Sequence, residues 1–169
     1  MNRAGQSAAF AKGRAGARNA VLGVLALLFV VLVLAIGRVV RLPFSVLASL
    51  GVAFGLLGLI LIVLTAGLAE SRGRKILLVL AGVSAAGIPA SAILHNLVYG
   101  LCIAWFGEDF WGPGGDESVF FVLALLVFPA LFVLSAAAGG ALLLKERSAK
   151  SRNAPRPRNE HGVPPVAEA

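Results

Sequence analysis

The chain has 169 residues, 59% of them hydrophobic and only 14% charged, with a mean hydropathy of +0.91. A soluble domain carries about 25% charged residues, so this composition excludes an ordinary soluble globular protein. No Asp, Glu, Lys or Arg interrupts the four longest apolar runs, and that distribution implies an integral membrane protein. The net charge of +7 sits in the two tails and one short loop, with no interleaved aromatic residues that would stack on bases. Nucleic acid is therefore not an expected partner. The lipid bilayer is, with anionic headgroups bound through the basic tails.

Residues 1–19 are small, polar and basic, with Arg3, Lys12, Arg14 and Arg18 and no acid. The first span covers about residues 20–37, which as a helix rise about 27 Å, just enough to cross hydrocarbon. Arg38 and Arg41 close it. The second span covers about residues 45–69 and ends at "ESRGRK", Glu70 to Lys75. The third covers residues 76–106. The hydrophilic loop "GEDFWGPGGDES" separates it from the fourth span, residues 119–144. From Lys145 to Ala169 the chain is basic and contains proline, and it reads as a disordered tail.

The runs are continuous rather than alternating, and longer than the ~10 residues of a barrel strand. In hydrocarbon a helix pairs its own backbone groups within one segment. The expected fold is therefore all-α: an integral membrane bundle of four transmembrane helices between disordered tails. The basic residues fix its threading. The N-terminus, the second loop and the C-terminus share one face and hold nearly all of them, whereas the first and third loops hold only Arg38 and Arg41. The expectation is a multi-pass protein of a bacterial plasma membrane with both termini cytoplasmic. The Ala-, Gly-, Arg- and Val-rich composition fits a GC-rich bacterial genome. A cleaved signal ending at Ala35-Ile36-Gly37 is the rival reading of the first span, although its apolar stretch exceeds the usual ~7–15 residues. An Arg-rich, acid-poor transit peptide is a weaker rival still.

Polar groups inside the third run are the best pointers to a role. Ser84, Ser91, His95, Tyr99 and Cys102 recur at spacings that place them on one helical stripe, with Asn96 one position round. Pro89 leaves the Ala85 carbonyl without its usual donor. Counting from Lys75 puts His95 about 30 Å along the helix, at the outer interface. Counting back from Trp105 puts it about 15 Å deeper. A place in the outer half of the core reconciles the two. Such a seam serves either to hydrogen-bond neighbouring helices or to line a small polar cavity.

Gly51, Gly55 and Gly58 form a small-residue face on the second span, and Ser135 with Gly139, and Ala136 with Gly140, do so on the fourth. Such faces let backbones approach closely, within the bundle or between copies. Pro129 is expected to kink the fourth helix. Glu108, Asp109, Asp116 and Glu117 make the third loop acidic. They read as a solvated loop in which Asp116 or Ser118 caps the fourth helix.

Several chemistries are excluded. A thiol–disulfide enzyme needs two cysteines, and Cys102 is alone and expected to be a small buried apolar residue. A bis-histidine haem needs two intramembrane histidines, and His161 lies in the tail. No metal or other cofactor is expected, since His95 and Cys102 offer too few ligands. No nucleophile–base–orienter set is visible, so the chain is not expected to be an enzyme. The expected role is a packing or accessory subunit of a membrane assembly, as a homo-oligomer or with a membrane partner protein. A transport or permeation subunit using His95, Asn96 and Tyr99 is the alternative.

Overall fold

The computed structural model describes residues 3–68, 70–112 and 115–152. Helix α1 runs from Arg3 to Ile36, α2 from Phe44 to Ala66 and α3 from Arg72 to Phe106. A 3₁₀ turn, Glu108–Trp111, follows. The fourth apolar segment opens with a short α4, Val119–Val122, passes through a π-helical turn at Leu123–Val127, and continues as α5, Phe128–Arg152. No strand occurs among the described residues. Four helical stretches, Gly5–Ile36, Phe44–Ala66, Arg72–Phe106 and Val119–Lys145, are long and apolar enough to cross a membrane.

The disordered-tail expectation is corrected where the tails are described. Residues 3–19 continue α1 and residues 145–152 continue α5. Both extensions are rich in Ala, Arg, Lys and Ser and contain no proline. Extending an existing helix needs no new nucleus, so modest propensity suffices. Residues 153–169, with Arg156, Arg158 and His161, lie outside the described residues.

Helix α3 has 35 residues, about 52 Å at 1.5 Å per residue, and is unbroken at Gly100. Pro89 lies inside it. The ring is accommodated because Gly55 on α2 faces it: a Cβ on Gly55 would lie 2.7 Å from Pro89 Cγ. One turn along, a Cβ on Gly58 would lie 2.7 Å from the Gly82 carbonyl oxygen and 2.9 Å from Ala85 Cβ. Backbone thus meets backbone where α2 crosses α3. Without a hydrophobic drive between helices in lipid, such close contact supplies the attraction.

The expected kink at Pro129 takes a specific form. The amide of Phe128 donates to the Leu123 carbonyl, five residues back, so the helix widens just before the proline. A π turn of this kind absorbs a missing donor without ending the helix. The Phe128 ring then lies over Gly87 of α3, where a Cβ would come within 2.7 Å of it. Phe29, Phe54 and Phe132 join α1, α2 and α5, with centroids 4.9 Å (Phe29–Phe132), 5.2 Å (Phe54–Phe132) and 6.1 Å (Phe29–Phe54) apart. Leu25, Leu61, Leu78, Ala81 and Ala85 are fully buried around them. Large apolar side chains such as Leu27, Leu56, Ile93, Leu126 and Leu134 are exposed along all four apolar segments, which suits a hydrocarbon surround rather than water.

Candidate functional site

Two polar clusters form, one at each end of the bundle. At the end where α3 approaches α4, His95 Nδ1 lies 3.2 Å from Glu117 Oε2, and His95 Nε2 lies 3.7 Å from Asp116 Oδ2. Glu117 is 6% exposed. Its Oε1 accepts the amide of Val119 at 2.7 Å, and its Oε2 accepts that of Phe120 at 3.0 Å. The carboxylate therefore caps the helix that begins at Val119 and satisfies two of its unpaired N–H groups. The positive end of that helix favours the negative charge. Asp116 Oδ1 accepts the Glu117 amide at 2.7 Å, which holds the acidic turn in shape. The Phe121 ring lies 5.6 Å from the imidazole.

This arrangement corrects the sequence reading of the loop. The cap is Glu117 rather than Asp116 or Ser118, and Ser118 makes no side-chain cap bond. Nor is Glu117 solvated. The reach from position 95 to position 117 depends on how α3 and α4 fold back on each other, and no local pattern reveals it. Glu108 and Asp109 stay exposed in the 3₁₀ turn. Within the bundle, His95 is level with the start of the fourth apolar segment. Helix α3 continues past it, carrying Phe106 to an aromatic cluster with Phe110 and Trp111. Tyr99 stacks on Trp111 at 6.0 Å.

The rest of the stripe divides. Ser84 and Ser91 are buried, and Ser84 Oγ has no hydrogen-bond partner. Cys102 is half-buried and free, so it is less enclosed than expected. Asn96 is exposed and turns its Nδ2 onto the Ala92 carbonyl of its own helix at 2.8 Å. Chemically, His95 with two carboxylates can hold a proton and tie α3 to α4. Its polar partners are carboxylates rather than a hydroxyl or thiol. Among the described residues no group of three His, Cys, Asp or Glu side chains is placed to hold a metal ion.

The second cluster lies at the opposite end. Arg18 of α1 is 2% exposed and pairs with Glu70 in the α2–α3 connection. Arg74 grips the same carboxylate, with Nε 2.9 Å from Oε2 and Nη2 2.6 Å from Oε1. Burial pushes the Glu70 carboxyl up, but the hydrogen bonds and positive charges of the two arginines outweigh it and hold the group below its ordinary range. Nearby, Arg14 donates to the Val63 carbonyl at 3.2 Å and Lys75 donates to that of Ala66 at 2.9 Å. These cations satisfy carbonyls that the end of α2 leaves open. In sequence these bases read as topology signals and Glu70 only as the end of the second apolar run, because nothing local shows that the two meet.

No known protein family, curated protein or solved structure matches the chain.

The small-residue faces meet different surroundings. Gly55 and Gly58 press against α3, and a Cβ on Gly139 would touch Leu78 at 3.4 Å. Ser135 is buried and donates to the Leu131 carbonyl of its own helix at 2.6 Å. At Gly51 and Gly140 a Cβ meets nothing within 4 Å. Each of these two borders a cleft. Gly140 lies in a groove of about 490 Å³ between α1 and α5, with Gly23, Ala26, Ala136 and Ala137 among its lining residues. Gly51 lies in a cleft of about 650 Å³ between α1, α2, α3 and the π turn.

Proposed function

We propose that the chain is a non-enzymatic, multi-pass component of a bacterial plasma membrane, with both termini cytoplasmic, that seats a further transmembrane helix in the α1–α5 groove. The groove carries this reading. Gly23, Ala26, Ala136, Ala137 and Gly140 are among its lining residues, beside Leu22, Phe29 and Phe132, and a Cβ at Gly23 or Gly140 meets nothing within 4 Å. A helix laid there packs backbone-close, as small-residue faces allow in lipid. A second copy of the chain is the occupant to test first, and a partner protein's helix is the other.

The test is association of two differently tagged copies in mild detergent. Gly140→Leu fills the groove and is expected to abolish co-purification, with helicity unchanged. Association that survives Gly23→Leu and Gly140→Leu together removes the reading. Reporter fusions in the loops at residues 37–43 and 107–118 check the threading, and both are expected to report the outer face.

A second reading, a transport or permeation subunit, draws its support from the titratable group of His95, Asp116 and Glu117. It expects a solute flux in reconstituted vesicles that His95→Ala abolishes. Flux unaffected by that change counts against it.

A further inference from the structure

The cleft beside Gly51 has features that the α1–α5 groove lacks. It holds about 650 Å³, within the range of small-molecule sites, and its lining is almost wholly apolar. Ile36, Phe44, Gly51, Phe54 and Leu125 are among the residues around it, and Asn96 supplies the one polar side chain. Phe44, at the start of α2, is 83% exposed, so the cleft reaches the surface there. Ile36 and Phe44, both lining residues, bracket the loop at residues 37–43, which carries Arg38 and Arg41.

Among the described residues these are the only arginine or lysine side chains at that end of the bundle. Both are exposed, and neither makes an ion pair or side-chain hydrogen bond among the described residues. They are carried on an ordered turn. The amides of Val39 and Val40 donate to the Leu34 carbonyl, and Arg38 has the left-handed φ of 58°. The acids of the other loop are occupied elsewhere or lie beyond ion-pair reach: Asp116 and Glu117 face His95. An apolar slot in the bundle wall, flanked by a loop that carries two unpaired arginines, matches one kind of molecule. That molecule has a long hydrocarbon chain joined to a phosphate.

We propose that this cleft binds one anionic membrane phospholipid, with an acyl chain between α1, α2 and α3 and the phosphate against Arg38 and Arg41. The chain fills space that no side chain occupies, and the guanidinium groups give forked hydrogen bonds to phosphate oxygens. This site is separate from the basic tails. Phe29 lines both this cleft and the helix-seating groove, but Gly51 lines only the former and Gly140 only the latter, so either can fail without the other.

The experiment is native mass spectrometry of the full-length chain in mild detergent, offered equal amounts of phosphatidylglycerol and phosphatidylcholine. One retained phosphatidylglycerol is expected in preference to phosphatidylcholine. Arg38→Gln and Arg41→Gln are each expected to lower that preference about fivefold. Gly51→Leu fills the slot in open space and is expected to remove both lipids, with helicity unchanged by circular dichroism. Glycerol phosphate, which has the anion without the chain, is expected to leave the bound lipid in place. Equal retention of the two lipids overturns the proposal. So does an undiminished preference in the double arginine variant, lipid retained by Gly51→Leu, displacement by glycerol phosphate, or a lipid-free dimer.

Discussion

His95 and Glu117, 22 positions apart in sequence, meet at 3.2 Å through an imidazole nitrogen and a carboxylate that also caps the next helix. The pair joins α3 to the start of α4, and the two ends of that link are not equivalent. Removing the imidazole leaves the carboxylate held by backbone N–H groups. Removing the carboxylate uncaps the helix and strands the histidine.

The first prediction follows from this asymmetry. Glu117→Ala is expected to destabilise the bundle by about 2–3 kcal/mol, combining a lost cap with a lost charged hydrogen bond. His95→Ala is expected to cost about 1 kcal/mol. A double-mutant cycle read by denaturation in mixed micelles checks both and isolates the coupling. Equal losses from the two single changes contradict the capping role.

Glu70 sets the acid limit of stability. Its carboxyl is held below the ordinary value of 4.5, so the stabilisation is complete above that value and fades as pH falls through the lowered one. Melting temperature in detergent is expected to be flat from pH 7 to pH 5 and to drop below about pH 4.5. Glu70→Gln is expected to blunt the drop. It also leaves Arg18 buried without a counter-charge, at a cost of about 3 kcal/mol at neutral pH.

The glycines of α2 are expected to separate sharply. Gly58→Ala forces a methyl against the Gly82 carbonyl and should cost about 1–3 kcal/mol. Gly51→Ala meets no atom and should stabilise the chain slightly, since alanine is the better helix former by about 1 kcal/mol. Unfolding of the two variants side by side decides this.

Ser84 offers a control for the polar seam. Its hydroxyl is buried and unpartnered, so Ser84→Ala removes an unpaired group and is expected to be neutral or stabilising by up to about 1 kcal/mol. A loss above about 1 kcal/mol would reveal a hydrogen bond made through Ser84.

The polar residues of α3 share a stripe but not an environment. Spacing placed Ser84, Ser91, His95, Tyr99 and Cys102 on one side of α3, but it could not say what each would meet. Ser91 is buried, His95 finds two carboxylates and Tyr99 finds Trp111. Likewise the glycine spacing of α2 marked a packing face, yet only Gly55 and Gly58 touch α3, while Gly51 opens onto a cleft.

The sequence by itself determined that this chain forms four long apolar helices. Hydropathy and helical periodicity are local properties, and a run of apolar residues without charge leaves the backbone few other ways to pair its polar groups. It also marked the breaks between helices, through Arg38, Glu70 and the loop before Ser118, but not where α1 begins or α5 ends. Only the tertiary structure decided which charges are buried partners and which stay free. Arg18 and Arg38 look alike in sequence, each a base beside an apolar run, but Arg18 is enclosed with Glu70 and Arg38 is exposed on the loop after α1. That difference arises from contacts between residues far apart in the chain, which depend on how the helices cross.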